Sequence, residues 1–379
     1  MSRPTIYIAI TNHGFGHAVR AASVAAEIQR LDPEILLVLV TTAPRWLLES
    51  YIPGDFIVRP RGLDVGVIQS DSIQMDKNAT LDKLREVRKR QNEIIAAEVN
   101  FIKLNRVGLV LGDIPPLAAP IARAAGIPGW MLGNFGWDFI YRPWGGEFEA
   151  IADWIGECFH QCDLLFRLPF CEPMSAFPHH TEVGLTGGTP RYDLDAMRAH
   201  WNLKTPPEKT VLLTFGGLGL DRIPYQNLAQ FPDWQFLSFD AKAPDLPNLI
   251  KITRDGPDMG NPDSVFQHIR PVDFMPLCGR VISKPGYSTF AEACRLEIPI
   301  VSLTREDFAE SPILVEALRN NAYHKVVTPA EFFEGEWDFL RQPLDPPRES
   351  NRILKDGSLA IARAVVNHFA THSPPPHPQ

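Results

Sequence analysis

The sequence has little of what marks nucleic-acid-binding, secreted or membrane-spanning proteins. Its 379 residues include 45 acidic residues and 37 Lys or Arg, a net charge of −8. There is no long basic run, and the mixed charges at 83–90 are typical of a solvated helix face. No apolar stretch approaches the roughly 18 residues of a membrane-spanning helix, and no secretory leader is visible. We therefore expect a cytoplasmic protein that binds no nucleic acid, with peripheral membrane contact left open.

Cysteine is also scarce. The chain has five cysteines, an odd number, and no Cys-x-x-Cys pair. They are Cys158, Cys162, Cys171, Cys278 and Cys294. This pattern predicts reduced thiols and no zinc site.

What the first half does contain is a regular alternation of short apolar runs and amphipathic segments. Strands are predicted at 5–10, 35–41, 107–111, 127–132 and 164–166, and helices at 18–31, 81–104 and 117–125. Continuous apolar runs bounded by loops suit a parallel sheet that is buried on both faces. The order predicts a doubly wound α/β domain.

The second half repeats this pattern after Gly- and Pro-rich punctuation at 187–190 and 205–207. Strands are predicted at 211–215, 234–238, 281–283 and 300–303, helices at 288–296 and 312–320, and a final amphipathic helix at 351–369. We expect an N-terminal domain over 1–195, a second domain over 205–350, a C-terminal helix over 351–371 and a disordered tail over 372–379.

A Gly-rich loop follows the first strand of each half. Residues 13–17 (HGFGH) let the backbone approach a ligand at Gly14 and Gly16 and place His17 as a candidate general base. A tight turn with a capping histidine is the alternative. Gly216, Gly217 and Gly219 resemble a phosphate-binding turn but lack the Lys and Ser/Thr of a P-loop, and a flexible strand end explains them equally well.

A further loop, SKPGYST at 283–289, opens a predicted helix. Its Gly and hydroxyl residues, with the first helical N–H groups, suit a diphosphate. Glu292 lies one turn further on and has two interpretations. It can bind ribose hydroxyls, or it can complete a capping box with Thr289.

Polar and aromatic residues follow other predicted strands. Asp113 ends one strand, and the aromatic segment 134–141 carries Asp138 after the next. The acidic segment 304–312 follows the strand at 300–303. Such positions meet ligands in open α/β sheets, although a core or a solvated loop would account for both segments.

These segments, in this order, resemble the GT-B glycosyltransferases. The loop at 283–292 resembles the donor signature of the family-28 enzymes. Residues 13–20, 134–141 and 305–308 resemble the glycosyltransferase-like half found in L-arabinokinases and their stand-alone bacterial relatives, over about residues 5–340. The resemblance implies two Rossmann-like doubly wound domains facing a cleft, with the donor on the second domain and the last helix crossing back to the first.

The residue patterns and the resemblance together give roles to particular residues. The candidate catalytic residues are His17, Asp113 and Asp138. The candidate donor-binding residues are Gly14, Gly16, Gly216, Gly217, Gly219, Lys284, Gly286, Tyr287, Ser288, Thr289, Glu292, Glu306, Asp307 and Glu310. Asn134 and Trp137 are candidates for the acceptor side.

The expected activity is transfer of a sugar from a nucleotide-diphosphate donor, most simply a UDP-sugar, to an acceptor hydroxyl of a small molecule, lipid or glycan. No DxD metal motif lies near the Gly-rich loops, so no metal or other cofactor is expected. Glu306, Asp307 and Glu310 replace the Gln-rich sugar motif of the peptidoglycan enzymes, so the donor sugar is left open. A sugar-nucleotide epimerase and a non-catalytic sugar-nucleotide-binding module are the alternatives.

Overall fold

The computed structural model describes residues 3–69, 75–217, 219–220, 222–252, 266–349 and 353–372. The chain divides into two compact units. The first contains residues 3–68, 76–187 and 354–372, and the second contains the described residues from 188 to 353 together with 69 and 75. The division falls between Gly187 and Gly188, in the Gly-rich stretch that the sequence marks as punctuation.

The first unit is built on a seven-stranded parallel sheet with the order β3-β2-β1-β4-β5-β6-β7. The strands are β1 (Thr5–Ile10), β2 (Leu36–Val40), β3 (Ile57–Arg59), β4 (Leu109–Asp113), β5 (Gly129–Gly133), β6 (Leu164–Arg167) and β7 (His180–Glu182). The helices are α1 (Gly16–Leu31), α2 (Arg45–Glu49), α3 (Lys77–Leu104), α4 (Ala118–Ala125), α5 (Trp137–Tyr141) and α6 (Glu147–Phe159).

The second unit has a six-stranded parallel sheet with the order β10-β9-β8-β11-β12-β13. Its strands are β8 (Thr210–Leu213), β9 (Gln235–Ser238), β10 (Leu249–Lys251), β11 (Arg280–Ser283), β12 (Ile300–Leu303) and β13 (His324–Val327). Its helices are α7 (Leu194–His200), α8 (Pro271–Phe274), α9 (Tyr287–Leu296), α10 (Glu310–Asn321) and α11 (Pro329–Phe333).

Central strands of both sheets are buried on both faces. All residues of β1, β4, β8 and β12 are buried, which is why these strands read as continuous apolar runs. The predicted α/β class with two Rossmann-like halves is confirmed. The strand order reverses between β1 and β4 in the first unit and between β8 and β11 in the second. Ligands of doubly wound sheets bind beyond the carboxyl ends of strands at such switch points.

The last helix, α12 (Gly357–His372), belongs to the first unit and packs along α1. Its start differs from the predicted residue 351, because residues 354–357 pair with the chain at 185 instead of coiling. Leu185 donates its N–H to Leu354 at 2.8 Å, and Gly357 donates to Leu185 at 3.0 Å. Of the predicted tail, His372 ends α12, and residues 373–379 lie outside the described residues.

In the part of the chain that the structure describes, no helix combines the length and the apolar character needed to cross a membrane. The five cysteines are all free thiols, and Cys171 alone is more than marginally exposed.

Candidate functional site

A polar cluster lies at the carboxyl edge of the first sheet, at its switch point. β1 leads into the loop that carries His17 at the start of α1, β4 ends on Asp113, and β5 leads to Asn134. Because β1, β4 and β5 are neighbours in the sheet, their carboxyl ends bring these residues together. The sequence predicted His17 and Asp113 as site residues, and the structure joins them.

The core of the cluster is a hydrogen-bonded pair, here called the dyad, formed by His17 and Asp113. Nδ1 of His17 lies 2.7 Å from Oδ1 of Asp113, and both side chains are buried. Burial alone raises the pKa of Asp113, but the charges of Arg20 and His17 outweigh it and hold that pKa below its ordinary value. Asp113 is therefore an ionised carboxylate and can only accept hydrogen bonds.

An ionised Asp113 decides how the ring hydrogen of neutral His17 is placed. Nδ1 must carry the hydrogen and donate it to Asp113, which leaves Nε2 as the basic nitrogen. Among the described residues, one other polar side-chain atom lies close to the ring of His17: Nη2 of Arg20 is 3.1 Å from Nδ1. Two N–H groups face each other in that contact, so it is not a hydrogen bond in this tautomer. Nε2 is thus available to accept a proton from a substrate hydroxyl.

Arg20 completes the cluster from one turn further along α1. Its Nε donates to Oδ2 of Asp113 at 2.8 Å, and its Nη2 donates to Oδ1 of the same carboxylate. Its Nη1 donates to Oδ1 of Asn134 at 2.7 Å. The sequence shows Arg20 within the HGFGHAVR segment, but no role was assigned to it. Its spacing of three residues from His17 on a helix is the signal that could have found it.

A second carboxylate, Asp64, lies beside the dyad and was missed entirely. Its Oδ1 accepts the backbone N–H of Asn12 at 2.8 Å, and its Oδ2 accepts the hydroxyl of Thr11. Burial raises the pKa of Asp64 to about 6, although these hydrogen bonds favour its charged form. Asp64 follows the three-residue edge strand β3, so no sequence pattern ties it to the loop after β1.

The aromatic segment after β5 packs against this cluster. Trp137 donates its Nε1–H to the hydroxyl of Thr11 at 3.1 Å and lies 6.0 Å from the ring of His17. Trp137 and Asn134 are each about 1% exposed. In this conformation both side chains hold neighbouring protein groups in place, and their acceptor-side role stays a prediction.

Asp138 stands apart from the dyad. Its carboxylate lies in the first turn of α5, and burial raises its pKa above the ordinary value. It makes no hydrogen bond or ion pair with His17 or Asp113 within the described ranges. The structure therefore does not bring this third candidate catalytic residue together with the other two.

The first Gly-rich loop is shaped by its glycines and by His13. Gly14 has a φ of +59° and is exposed, whereas Gly16 is the first residue of α1. His13 Nδ1 lies 3.2 Å from the backbone of Val67, which joins this loop to the segment that carries Asp64. The loop thus has a backbone conformation that glycine favours, and its predicted contact with the donor stays a prediction.

A second candidate site lies at the switch point of the second sheet. The loop after β8 carries Gly216, Gly217 and Gly219, and the loop after β11 carries Lys284. A Cβ atom on Gly216 would be 3.8 Å from Cε of Lys284, so the two loops are adjacent. Gly216 and Gly219 have φ values of +82° and +67°, which glycine adopts without strain.

The loop after β11 ends in the N-terminus of α9. Gly286 is the N-cap, and Tyr287, Ser288 and Thr289 form the first turn. The hydroxyl-bearing side chains of Ser288 and Thr289 are partly exposed, and Tyr287 is buried. A helix N-terminus presents N–H groups and a partial positive charge, which suits a phosphate group.

The capping box proposed for Thr289 and Glu292 is wrong. α9 begins at Tyr287, so Thr289 is already its third residue and cannot cap it. Glu292 is buried, and its Oε1 accepts the backbone N–H of Gly188 at 2.8 Å. Arg295 of the same helix donates to the carbonyl of Gly188, also at 2.8 Å. α9 therefore holds the first residue of the second unit, and the ribose role of Glu292 stays a prediction.

The acidic segment after β12 divides into an exposed and a buried part. Glu306 and Asp307 are exposed, and Asp307 has a φ of +62°. Glu310 begins α10 and is 6% exposed. Since β12 is next to β11, this segment reaches the same edge of the sheet as Lys284. Within the described residues, no group of three or more His, Cys, Asp or Glu is arranged to hold a metal ion.

Comparison with solved structures decides the fold. The calicheamicin glycosyltransferase CalG4 superposes with a TM-score of 0.60 at 15% identity, over 99% of this chain and 100% of that one. Phytolacca americana UGT2, complexed with UDP-2-fluoroglucose and pterostilbene, superposes with a TM-score of 0.56 at 12% identity, over 96% of this chain and 89% of that one. The chain has the GT-B fold.

The GT-B chain also has a relative at the sequence level. It is 30% identical over 318 residues to an L-arabinokinase of Arabidopsis thaliana, a match that covers 80% of this chain. It spans 28% of the length of that relative. No protein-family model matches the chain. The resemblance to GT-B glycosyltransferases and to L-arabinokinase, inferred from the sequence, is confirmed.

Proposed function

We propose that the chain is a glycosyltransferase that moves a sugar from a nucleoside-diphosphate donor to an acceptor hydroxyl, with His17 as the general base. The observation that carries the proposal is the dyad. Nδ1 of His17 lies 2.7 Å from a buried, ionised Asp113, and Nε2 is left as the basic nitrogen. This pair belongs to a chain whose fold is that of sugar-transferring enzymes.

In this proposal, the dyad supplies one of the two requirements of glycosyl transfer. The acceptor hydroxyl must lose its proton as the new bond to the anomeric carbon forms. Nε2 of His17 accepts that proton, and the carboxylate of Asp113 stabilises the resulting imidazolium. The acceptor itself is a small molecule, lipid or glycan that carries a free hydroxyl.

The second unit supplies the other requirement, stabilisation of the leaving diphosphate. The N-terminus of α9 and the cationic Lys284, beside the glycines after β8, would stabilise the negative charge that develops on the diphosphate. These fixed groups can take the role that a metal ion plays in other transferases, so we propose a metal-independent reaction. A UDP-sugar is the donor class that we favour, because UGT2 was obtained with a UDP-sugar analogue.

The experiment is a ³¹P NMR time course with a panel of UDP-sugars, each incubated with and without a mixture of hydroxyl acceptors. Transfer predicts UDP release that depends on the acceptor. Release or isomerisation of the UDP-sugar without an acceptor would support the epimerase instead. Binding of UDP without turnover under any condition would leave a sugar-nucleotide-binding module. The cytoplasmic location expected from the sequence stays part of the proposal.

A further inference from the structure

We propose that Arg20 is a positioning residue of the dyad, which keeps Nε2 of His17 free of hydrogen by neutralising and orienting Asp113. This inference rests on the proposed role of His17 as the base. It adds a requirement that the dyad alone does not contain, namely a buried cation bound to both oxygens of its carboxylate.

The geometry around Arg20 is that of a clamp. Its side chain is 2% exposed, and its Nε and Nη2 grip both oxygens of Asp113. The remaining nitrogen, Nη1, is held by Asn134 at 2.7 Å. A guanidinium bound at both ends fixes the plane of the carboxylate, so Oδ1 stays at hydrogen-bonding distance from Nδ1 of His17.

The charges of Asp113 and Arg20 determine whether Asp113 and His17 take up a proton. With neutral His17, the buried cluster contains one negative charge on Asp113 and one positive charge on Arg20. Burial alone raises the pKa of Asp113, and Arg20 is the strongest influence acting against burial. Without Arg20, a buried carboxylate would stand uncompensated, and such a group neutralises itself by taking up a proton.

Whether that proton binds Asp113 or His17, Nε2 of His17 can no longer act as the base. If the proton binds Asp113, the carboxyl O–H donates to Nδ1, and the ring hydrogen of neutral His17 moves to Nε2. If it binds His17, the imidazolium carries hydrogen on both nitrogens. In both cases Nε2 is protonated and cannot accept a proton from the substrate.

The other charged groups near His17 do not replace Arg20. Asp64, from the loop after β3, is itself an acid whose charge interacts with His17. His13 lies with its ring 6.3 Å from that of His17, on the loop after β1. Phe135 and Trp137, whose rings lie 5.8 Å and 6.0 Å from that of His17, are uncharged. Neither Asp64 nor His13 donates hydrogen bonds from a cationic group to both oxygens of Asp113, as Arg20 does.

The test measures the protonation of His17 directly, by ¹⁵N NMR of the full chain labelled at histidine, at pH 7 and without substrate. The variant His17→Gln assigns the signals. For the wild type we expect hydrogen on Nδ1 and none on Nε2. For Arg20→Gln, which can still donate a hydrogen bond but has no charge, we expect hydrogen on Nε2 and a roughly 100-fold or greater loss of kcat/KM. Arg20→Lys, which keeps the charge, should leave Nε2 free and lose less than about 10-fold.

A matched control comes from the second unit. Arg270 grips the buried carboxylate of Asp273 in the same two-pronged way, with Nε at 3.1 Å and Nη2 at 2.6 Å from its oxygens. Arg270→Gln should leave the His17 signals unchanged.

A folded Arg20→Gln protein with Nε2 still free of hydrogen would overturn the proposal. If that variant does not fold, Nε2 protonation in Arg20→Lys would overturn it, and a wild-type spectrum would support it. Because the spectrum needs no turnover, it separates this proposal from the proposed transferase activity.

Discussion

At the scale of single residues, the first unit surrounds the imidazole of His17 with two carboxylates and a guanidinium, those of Asp113, Asp64 and Arg20. Asp113 and Arg20 compensate each other within hydrogen-bonding distance. Asp64 has no cation in hydrogen-bonding contact among the described residues, and two neutral donors, the hydroxyl of Thr11 and the backbone N–H of Asn12, stabilise its charge. This difference explains why the pKa is lowered for Asp113 and raised for Asp64, although both are acids beside His17.

Asp64 should make stability depend on pH in a defined direction. Its folded pKa of about 6 lies above the roughly 3.9 of an unfolded aspartate. Between these values the folded state binds more protons, so stability falls as pH rises from about 4 to 6 and is level above that window. Because Asp64 is partly exposed, we expect this fall to be about 1–2 kcal/mol.

Asp64→Asn should remove that fall. The Tm difference between variant and wild type, measured at pH 4.5 and at pH 7.5, should shift in favour of the variant at the higher pH. Asp195→Asn, at an exposed position on α7, is the control and should show no such shift. A pH-independent difference for Asp64→Asn would show that the folded carboxyl titrates like an unfolded one.

The residue scale is also where the sequence was least informative. The HGFGH loop pointed to His17, and the end of a predicted strand pointed to Asp113. Arg20 was visible but unassigned, because its role depends on a carboxylate 93 positions away. Asp64 could not be found, because its partners Thr11 and Asn12 are 53 and 52 positions away and follow another strand. Side-chain partners set by the sheet order have no local signature.

At the scale of elements, the N-terminus of α9 is the proposed binding site for the donor diphosphate. Gly286 caps it with a φ of −166°, an extended conformation that any residue adopts. A Cβ atom there would come no closer than 3.9 Å to the carbonyl of Lys284. The glycine is therefore not needed for folding, which leaves access of a ligand to the helix end as its reason.

Gly286→Leu should therefore keep the stability of the protein and weaken its binding of UDP. We expect Kd to rise by roughly 10-fold or more, equivalent to about 1.4 kcal/mol, because the side chain covers the first N–H groups of α9. Calorimetric titration of UDP checks this. Gly156→Ala on α6, where a Cβ meets open space, is the control. Unchanged UDP affinity in a folded Gly286→Leu protein would place the diphosphate elsewhere.

Elements with a strong apolar signal were predicted well. β1 and β12 have the predicted bounds, and α9 and α10 differ by one or two residues at their ends. Three-residue edge strands such as β3, β7 and β10 were missed, because three residues are too few to show a period. The 13-residue helix α6 was also missed, since its aromatic residues resemble the preceding segment more than a helical face.

At the scale of the whole molecule, the chain returns to its first unit through α12. The apolar face of this helix is buried, with Ile361, Val365 and Phe369 among its members. Ser358 shares a hydrogen bond of 3.0 Å with Ser23 of α1. The two doubly wound α/β domains were predictable from the repeated pattern of strands and Gly-rich loops, whereas the GT-B fold was predicted from the resemblance of these segments to that family.

The packing of α12 gives a stability prediction. Ile361 is fully buried, so Ile361→Ala should cost about 2–5 kcal/mol through lost burial and the cavity that it leaves. A lower Tm is the expected result. Arg363→Ala, at an exposed position on the same helix, should leave Tm nearly unchanged. Equal effects of the two substitutions would mean that α12 does not stabilise the first unit by apolar packing.

The most direct measurement of the central claim is the rate of acceptor-dependent UDP release by His17→Gln, with UDP affinity measured on the same preparation. The account predicts a loss of kcat/KM of roughly 100-fold or more, because the base is gone, while UDP binds as in the wild type. A His17→Gln protein that releases UDP at the wild-type rate would contradict the assignment of His17 as the base.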